Sequence, residues 1–144
     1  MVTASKIAET LGGKSILKER LTDYTAVIHR VRAGLPYGAL EAVARRYGIP
    51  LTALARVIDL PARTLARRKK ERRFSAGESD RLARVARAAA SAEDVLENRH
   101  NAGRWLQTPN RALGGVTPLD LLSSDLGAEQ VETILVRIDY GVYS

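Results

Sequence analysis

Residues 51–71, LTALARVIDLPARTLARRKKE, read as two short helices joined by a tight turn. Leu54, Ile58, Leu60 and Leu65 fall where such a pair needs apolar packing, and Ala55 supplies the small side chain where the helices approach most closely. Asp59 stands where the turn commonly takes glycine, and aspartate is among the few residues that tolerate left-handed backbone there. One position breaks the pattern: Arg68 lies where a buried aliphatic side chain is usual. The stretch is a helix–turn–helix pattern, and the chain around it is helical in the same way.

In this geometry the N-terminal part of the second helix meets base edges while neighbouring groups grip phosphates. With Ala62, Leu65 and Ala66 facing inward, Arg63, Thr64, Arg67 and Lys70 project outward, and Arg63 and Arg67 share a face because they are four apart. Segment 63–73 carries seven Lys/Arg and one Glu. The candidate nucleic-acid contacts are Arg63, Thr64, Arg67, Arg68, Lys69, Lys70, Arg72 and Arg73. Each phosphate contact adds salt-dependent attraction, and an arginine on guanine adds roughly 1–3 kcal/mol of discrimination. A solvated basic face, or a DNA-binding fold kept only for dimerisation, fits the same residues.

Working outward, residues 1–15 carry Gly12-Gly13 and little periodicity, so they read as a flexible or frayed lead-in. Thr22 or Asp23 caps a helix to about Arg32, with Tyr24, Val27, Ile28 and Val31 at helical spacing. A helix over about Gly38 to Tyr47 ends at Gly48. Thr52 caps the next, and Asp59-Leu60-Pro61 separates it from its partner. Ser75 with Glu78 is a capping box opening a long Ala/Arg-rich helix to about Ala90, which Ser91 with Asp94 restarts after a bend, on to about Gln107. Residues 112–116 are a loop or a very short strand. Thr117-Pro118 starts a short helix, and a last helix from about Ala128 to Asp139 buries Val131, Ile134, Leu135 and Ile138. The expected fold is all-α, with one very short strand pair the single exception allowed. The expected division is 1–35 (lead-in and helix), 36–90 (helix–turn–helix region) and 91–144 (a small helical domain).

Composition agrees. Hydrophobic residues make up 45% of 144 and aromatics 5%, so a core of Ala, Leu, Val and Ile favours packed helices over a sheet. The absence of cysteine excludes disulfides and thiolate metal sites and fits a reducing, cytoplasmic home. His29 and His100 are isolated, and no nucleophile–base pair or phosphate loop appears, so neither an enzyme nor a cofactor is expected. Met1–Lys14 holds no apolar run, so no secretory signal is expected, and no stretch reaches the roughly 20 apolar residues of a membrane span. Residues 1–90 hold 19 Lys/Arg and 8 Asp/Glu, a net +11, whereas residues 91–144 hold 4 and 8, a net −4. A basic front and a mildly acidic back point to two different partners, the first a polyanion.

The last stretch, AGRWLQTPNRALGGVTPLDLLSSDLGAEQVETILVRIDYGVYS over 102–144, resembles the toxin-binding domain of the Xre/MbcA/ParS antitoxins. The resemblance rests on Ala102 with Trp105-Leu106, Pro109-Asn110, Ala112-Leu113-Gly114-Gly115, Thr117-Pro118-Leu119-Asp120-Leu121-Leu122, Gly127 with Val131, and Arg137-Ile138 with Tyr140-Gly141-Val142-Tyr143. Residues around Leu65–Phe74 resemble the helix–turn–helix part of the same antitoxins, which is similar to Cro-like repressors. The resemblance implies a partner toxin of the RES type, which depletes NAD+ and whose active-site entrance the C-terminal domain covers. It also implies binding to operator DNA of the operon, and several antitoxin chains per assembly. The toxin-facing candidates it implies are Arg104, Trp105, Asn110, Leu113, Gly114, Gly115, Arg137, Tyr140, Tyr143 and Ser144. Of the motif residues, Trp105, Leu113, Leu119 and Ile138 suit a core better, and exposed Arg and Tyr suit an interface better. The carboxylate of Ser144, or Asp139, can mimic an anionic dinucleotide in a cationic cleft. Because operators are usually two-fold symmetric, a homodimer or higher oligomer is expected, through the helix at 22–33 or the one at 76–90. A stand-alone transcriptional regulator is the alternative reading.

Overall fold

The computed structural model describes residues 2–141. In chain order the helices are α1 (Ala4–Thr10), α2 (Gly13–Leu17), α3 (Tyr24–Arg32), α4 (Gly38–Tyr47), α5 (Leu51–Val57), α6 (Ala62–Glu71), α7 (Ala76–Leu96), α8 (Arg99–Leu106), α9 (Pro118–Leu121) and α10 (Asp125–Asp139), with a 3₁₀ turn at Arg111–Leu113. Side-chain caps set many of the starts: Thr3, Asp23, Asn98, Thr117 and Ser124 each accept from a backbone N–H of their helix's first turn, satisfying donors that a helix start leaves unpaired. The Ser75–Glu78 capping box forms as expected, with both reciprocal bonds present.

α7 is the centre. Helices α1, α3, α8 and α10 pack around it, so its middle is buried on several sides and carries Leu82, Val85, Ala86, Ala88, Ala89, Ala90 and Ala92 with almost no exposure. Small side chains there let the neighbours approach closely and fill the space without voids. Two glycines mark still closer contacts. A Cβ on Gly103 of α8 would lie 2.0 Å from the Tyr47 carbonyl oxygen at the end of α4, and one on Gly127 of α10 would lie 1.9 Å from that of Leu121.

Several expectations need correction. The lead-in is two packed helices: Ala4, Ile7, Ala8 and Leu11 are buried at a helical 3–4 spacing, and Gly12, at φ 112°, makes the corner between them. The helix does not restart at Ser91 but runs through it, with the surrounding alanines buried in the core; the chain turns instead at Glu97, φ 69°, and Asn98 caps α8 through the Asn101 N–H at 2.7 Å. α5 begins at Leu51 behind Pro50 with no side-chain cap, so Thr52 lies inside it. Of the loop or very short strand expected over 112–116 the loop holds, opening with a 3₁₀ turn at Arg111–Leu113, and the isolated bridge found among the described residues pairs Pro36 with Arg73. The Ala-rich face of α7 is spent on the protein's own core, so that face is no dimer surface. On α3, by contrast, Val27 and Val31 of the helical spacing are buried while Tyr24 and Ile28 stand exposed.

Candidate nucleic-acid and partner interfaces

The turn between α5 and α6 is built as anticipated. Asp59 takes the left-handed conformation at φ 58°, the Leu60 N–H donates to the Ala55 carbonyl at 2.9 Å, and Leu54, Ala55, Ile58 and Leu60 are buried. Arg81 of α7 donates to the Ile58 carbonyl at 2.8 Å, satisfying an acceptor that the end of α5 leaves free.

α6 itself contributes no buried residue. Ala62 and Ala66 are exposed rather than inward, and Leu65 is half-buried against the core. Arg63, Arg67, Lys69, Lys70, Arg72 and Arg73 are exposed and Thr64 half-buried; among the described residues none of these six cations pairs with a carboxylate. Arg68 differs. Its Nε and a terminal nitrogen donate to the two oxygens of Glu78 at 2.7 and 3.0 Å, and the other terminal nitrogen reaches Glu71 at 2.9 Å. Burial pushes the Glu78 carboxyl up, but Arg68 and the Ser75 N–H together hold it below the ordinary carboxylate range. The off-pattern arginine is thus ion-paired to α7. The far end of α6 is tied by the Tyr37 N–H to the Arg72 carbonyl at 3.0 Å and the Phe74 N–H to the Leu35 carbonyl at 2.9 Å, beside the stacked rings of Tyr37 and Phe74. Sequence reading missed Lys18, which lines one hollow with Lys69 and Arg72, and the exposed Thr52 and Arg56 of α5. Only the fold brings Lys18 there.

At the other end, Asn110 is buried and organises a loop. Its N–H donates to the Val116 carbonyl at 2.9 Å, its carbonyl accepts from Leu113 and Gly115, and its Oδ1 accepts from the Ala112 N–H at 2.9 Å. Leu113 plugs the core, and Gly114 and Gly115, at φ 78° and 86° with open space around them, serve the backbone turn and leave the loop exposed. Asn110 and Leu113 therefore shape the surface from beneath. Between this loop and α10 runs a groove of about 580 Å³ whose lining includes Ala112, Leu113, Leu126, Thr133, Ile134 and Arg137. Leu126, on its rim, is 77% exposed, and the same C-terminal region also exposes Tyr140 (77%), Val136 and Val116. Arg104 and Arg137 are exposed and Trp105 half-buried. Leu119 is buried and Ile138 half-buried. Sequence reading named Tyr140 and Arg137 but missed Leu126, Val116 and Val136. For the two on α10 a signal was available, since Leu126 and Val136 fall opposite the stripe of Val131, Ile134 and Leu135. Tyr143 and Ser144 lie outside the described residues.

The two ends meet at Glu93. Its carboxylate accepts from Lys6 of α1 at 3.1 Å, from Arg46 of α4 at 3.1 and 3.2 Å and from the Tyr47 hydroxyl at 2.9 Å, with Arg99 of α8 at 3.7 Å. Burial pushes the carboxyl up, and the bonds from Arg46, Tyr47 and Lys6 more than offset it, leaving it at about 2. The buried Tyr47 hydroxyl is pushed up to about 12. Among the described residues no group of three or more metal-ligating side chains converges, and no helix is long and apolar enough to cross a membrane.

Residues 91–141 match the model of the antitoxin Xre/MbcA/ParS C-terminal toxin-binding domain, and residues 26–87 match that of the antitoxin Xre-like helix-turn-helix domain. The chain is 30% identical over 122 residues to an antitoxin Xre of Yersinia enterocolitica, covering 83% of this chain and 82% of that protein. It is 38% identical over 92 residues to an antitoxin Xre of Pseudomonas putida, 63% of this chain and 58% of that protein. To an antitoxin Xre of Photorhabdus laumondii it is 30% identical over 113 residues, 77% of this chain and 76% of that protein.

Proposed function

Because this chain belongs to the Xre family of antitoxins, we propose that it neutralises a toxin of the RES type by covering the entrance to the site where that toxin consumes NAD+, and that it represses its own operon by binding promoter DNA. The observation that supports the toxin half is α10: Leu126, which lines the groove, and Val136 and Tyr140 on the same helix are exposed in the region that matches the toxin-binding domain. Apolar side chains so placed cost the free protein and are repaid when a partner covers them. Arg104, Trp105, Arg137, Tyr140, Tyr143 and Ser144 contact the toxin, and Asn110, Leu113, Gly114 and Gly115 hold the loop in the shape it needs.

The DNA half is supported by six cations, four on the exposed α6 and two just past its end, none of which pairs with a carboxylate among the described residues, and by a preceding turn with helix–turn–helix geometry. Arg63 and Arg67 read bases, and Lys69, Lys70, Arg72, Arg73 and Lys18 grip the backbone. The working form is a cytoplasmic homodimer or larger assembly, matching a two-fold operator. Co-expression with the adjacent toxin gene tests the proposal. Wild type rescues growth; Leu126→Asp with Tyr140→Asp loses rescue but still binds promoter DNA; Arg63→Ala with Arg67→Ala does the reverse. Rescue that survives the α10 substitutions sinks the assignment of that face.

A further inference from the structure

We propose that Arg68 is a positioning residue rather than a DNA contact: its bidentate pair with Glu78 latches the reading helix to α7 in place of the apolar side chain such a helix normally buries. The inference rests on the reading of α6 as the DNA-facing helix. α6 has no buried residue, and its one partly buried apolar anchor is Leu65. Among the described residues, the side-chain hydrogen bonds from α6 to any other element all come from Arg68, at 2.7 and 3.0 Å to Glu78. Glu78 is itself fixed, since the Ser75 N–H donates to the same carboxylate at 2.8 Å in the capping box. A planar guanidinium gripping a fixed carboxylate by two bonds sets an angle as well as a distance. The pair therefore sets the rotation of α6 about its own axis, and with it the direction in which Arg63 and Arg67 point. Phosphate attraction needs only charge near the duplex, whereas base reading needs orientation.

The two roles for Arg68 predict opposite signs in one variant. Glu78→Gln keeps the capping box, which accepts glutamine, and removes a negative charge beside the cationic helix. If Arg68 gripped a phosphate, freeing it would raise affinity for every duplex. If it is a latch, affinity for a duplex selected by the wild-type protein from a random-sequence pool falls about 10- to 100-fold, the worth of one misplaced arginine–guanine pair. Affinity for an unselected duplex of equal length then stays level or rises. Arg68→Ala, which leaves the α7 cap intact, shows the same loss of preference with an unchanged slope of log affinity against log salt. Amide hydrogen exchange reads the latch without DNA: in Glu78→Gln, exchange over 62–71 speeds up while α4 and α10 keep their protection. Undiminished preference for the selected duplex in Glu78→Gln, or a salt slope reduced by about one in Arg68→Ala, overturns the proposal. A wild-type protein that selects no sequence removes the DNA reading instead, and the exchange measurement then decides the latch alone.

Discussion

Replacing Glu93 with glutamine keeps the size of the side chain and removes the charge on which α1, α4 and α8 converge. The folded protein holds this carboxyl at about 2 against an ordinary value of 4.5, and the side chain is only 11% exposed. A difference of about 2.5 pKa units is worth about 3 kcal/mol, which agrees with the roughly 3–5 kcal/mol lost when one partner of a buried pair is removed. The sign follows from the direction of the shift. The folded-state pKa is depressed, so this stabilisation is complete above about pH 4.5 and is lost as the pH falls toward 2. Urea denaturation followed by circular dichroism, on wild type and Glu93→Gln, should show a gap of about 3 kcal/mol at pH 7 that narrows to about 2 kcal/mol at pH 3.5. A gap under 1 kcal/mol at neutral pH, or one that does not change with pH, would refute the idea that this carboxylate holds the helices together.

Gly103→Ala forces a Cβ onto the Tyr47 carbonyl at 2.0 Å; the backbone-on-backbone clash should cost at least about 2–3 kcal/mol and lower the melting temperature by several degrees. Asp59→Gly relieves a left-handed residue at φ 58° and should leave stability unchanged or raise it by up to about 1 kcal/mol; a marked loss in a melting curve would mean that the aspartate side chain has its own role. Tyr140→Asp, on a side chain 77% exposed, should leave the melting temperature within a degree or two while weakening toxin capture in a pull-down.

The helix–turn–helix was legible because its signals are local: a left-handed aspartate, a small residue at the crossing and apolar residues three and four apart. The caps at Asp23 and Ser75 were legible for the same reason, since the capping side chain lies within three residues of its target. What was missed depends on distant chain. Residues 4–11 have a helical stripe, but four positions beside a Gly-Gly pair read as a frayed end until α7 gives them a surface to bury. Ser91 looked like a restart because serine and aspartate prefer helix starts, yet it is held mid-helix by the packing of Ala88, Ala89, Ala90 and Ala92. Asn110 depends on the fold in another way. It stands among the toxin-facing candidates that the resemblance implies and at a corner of the chain, and only the fold shows it buried with its N–H, carbonyl and Oδ1 bonded within its own loop. Arg68 was flagged as out of place, but its partner on α7 could be seen only once the two helices were set side by side.

α7 runs unbroken for 21 residues, roughly 30 Å at 1.5 Å per residue, and its core continues into both the DNA-facing helices and the groove-bearing tail. Both halves of the chain are fastened to this one rod: Glu78 holds α6 and Arg81 the end of α5, while Arg84 and Arg87 reach Asp125 and Glu132 of α10. A change of volume among its buried alanines is therefore transmitted to α6 and α10 together, because a close-packed interior passes strain on rather than absorbing it.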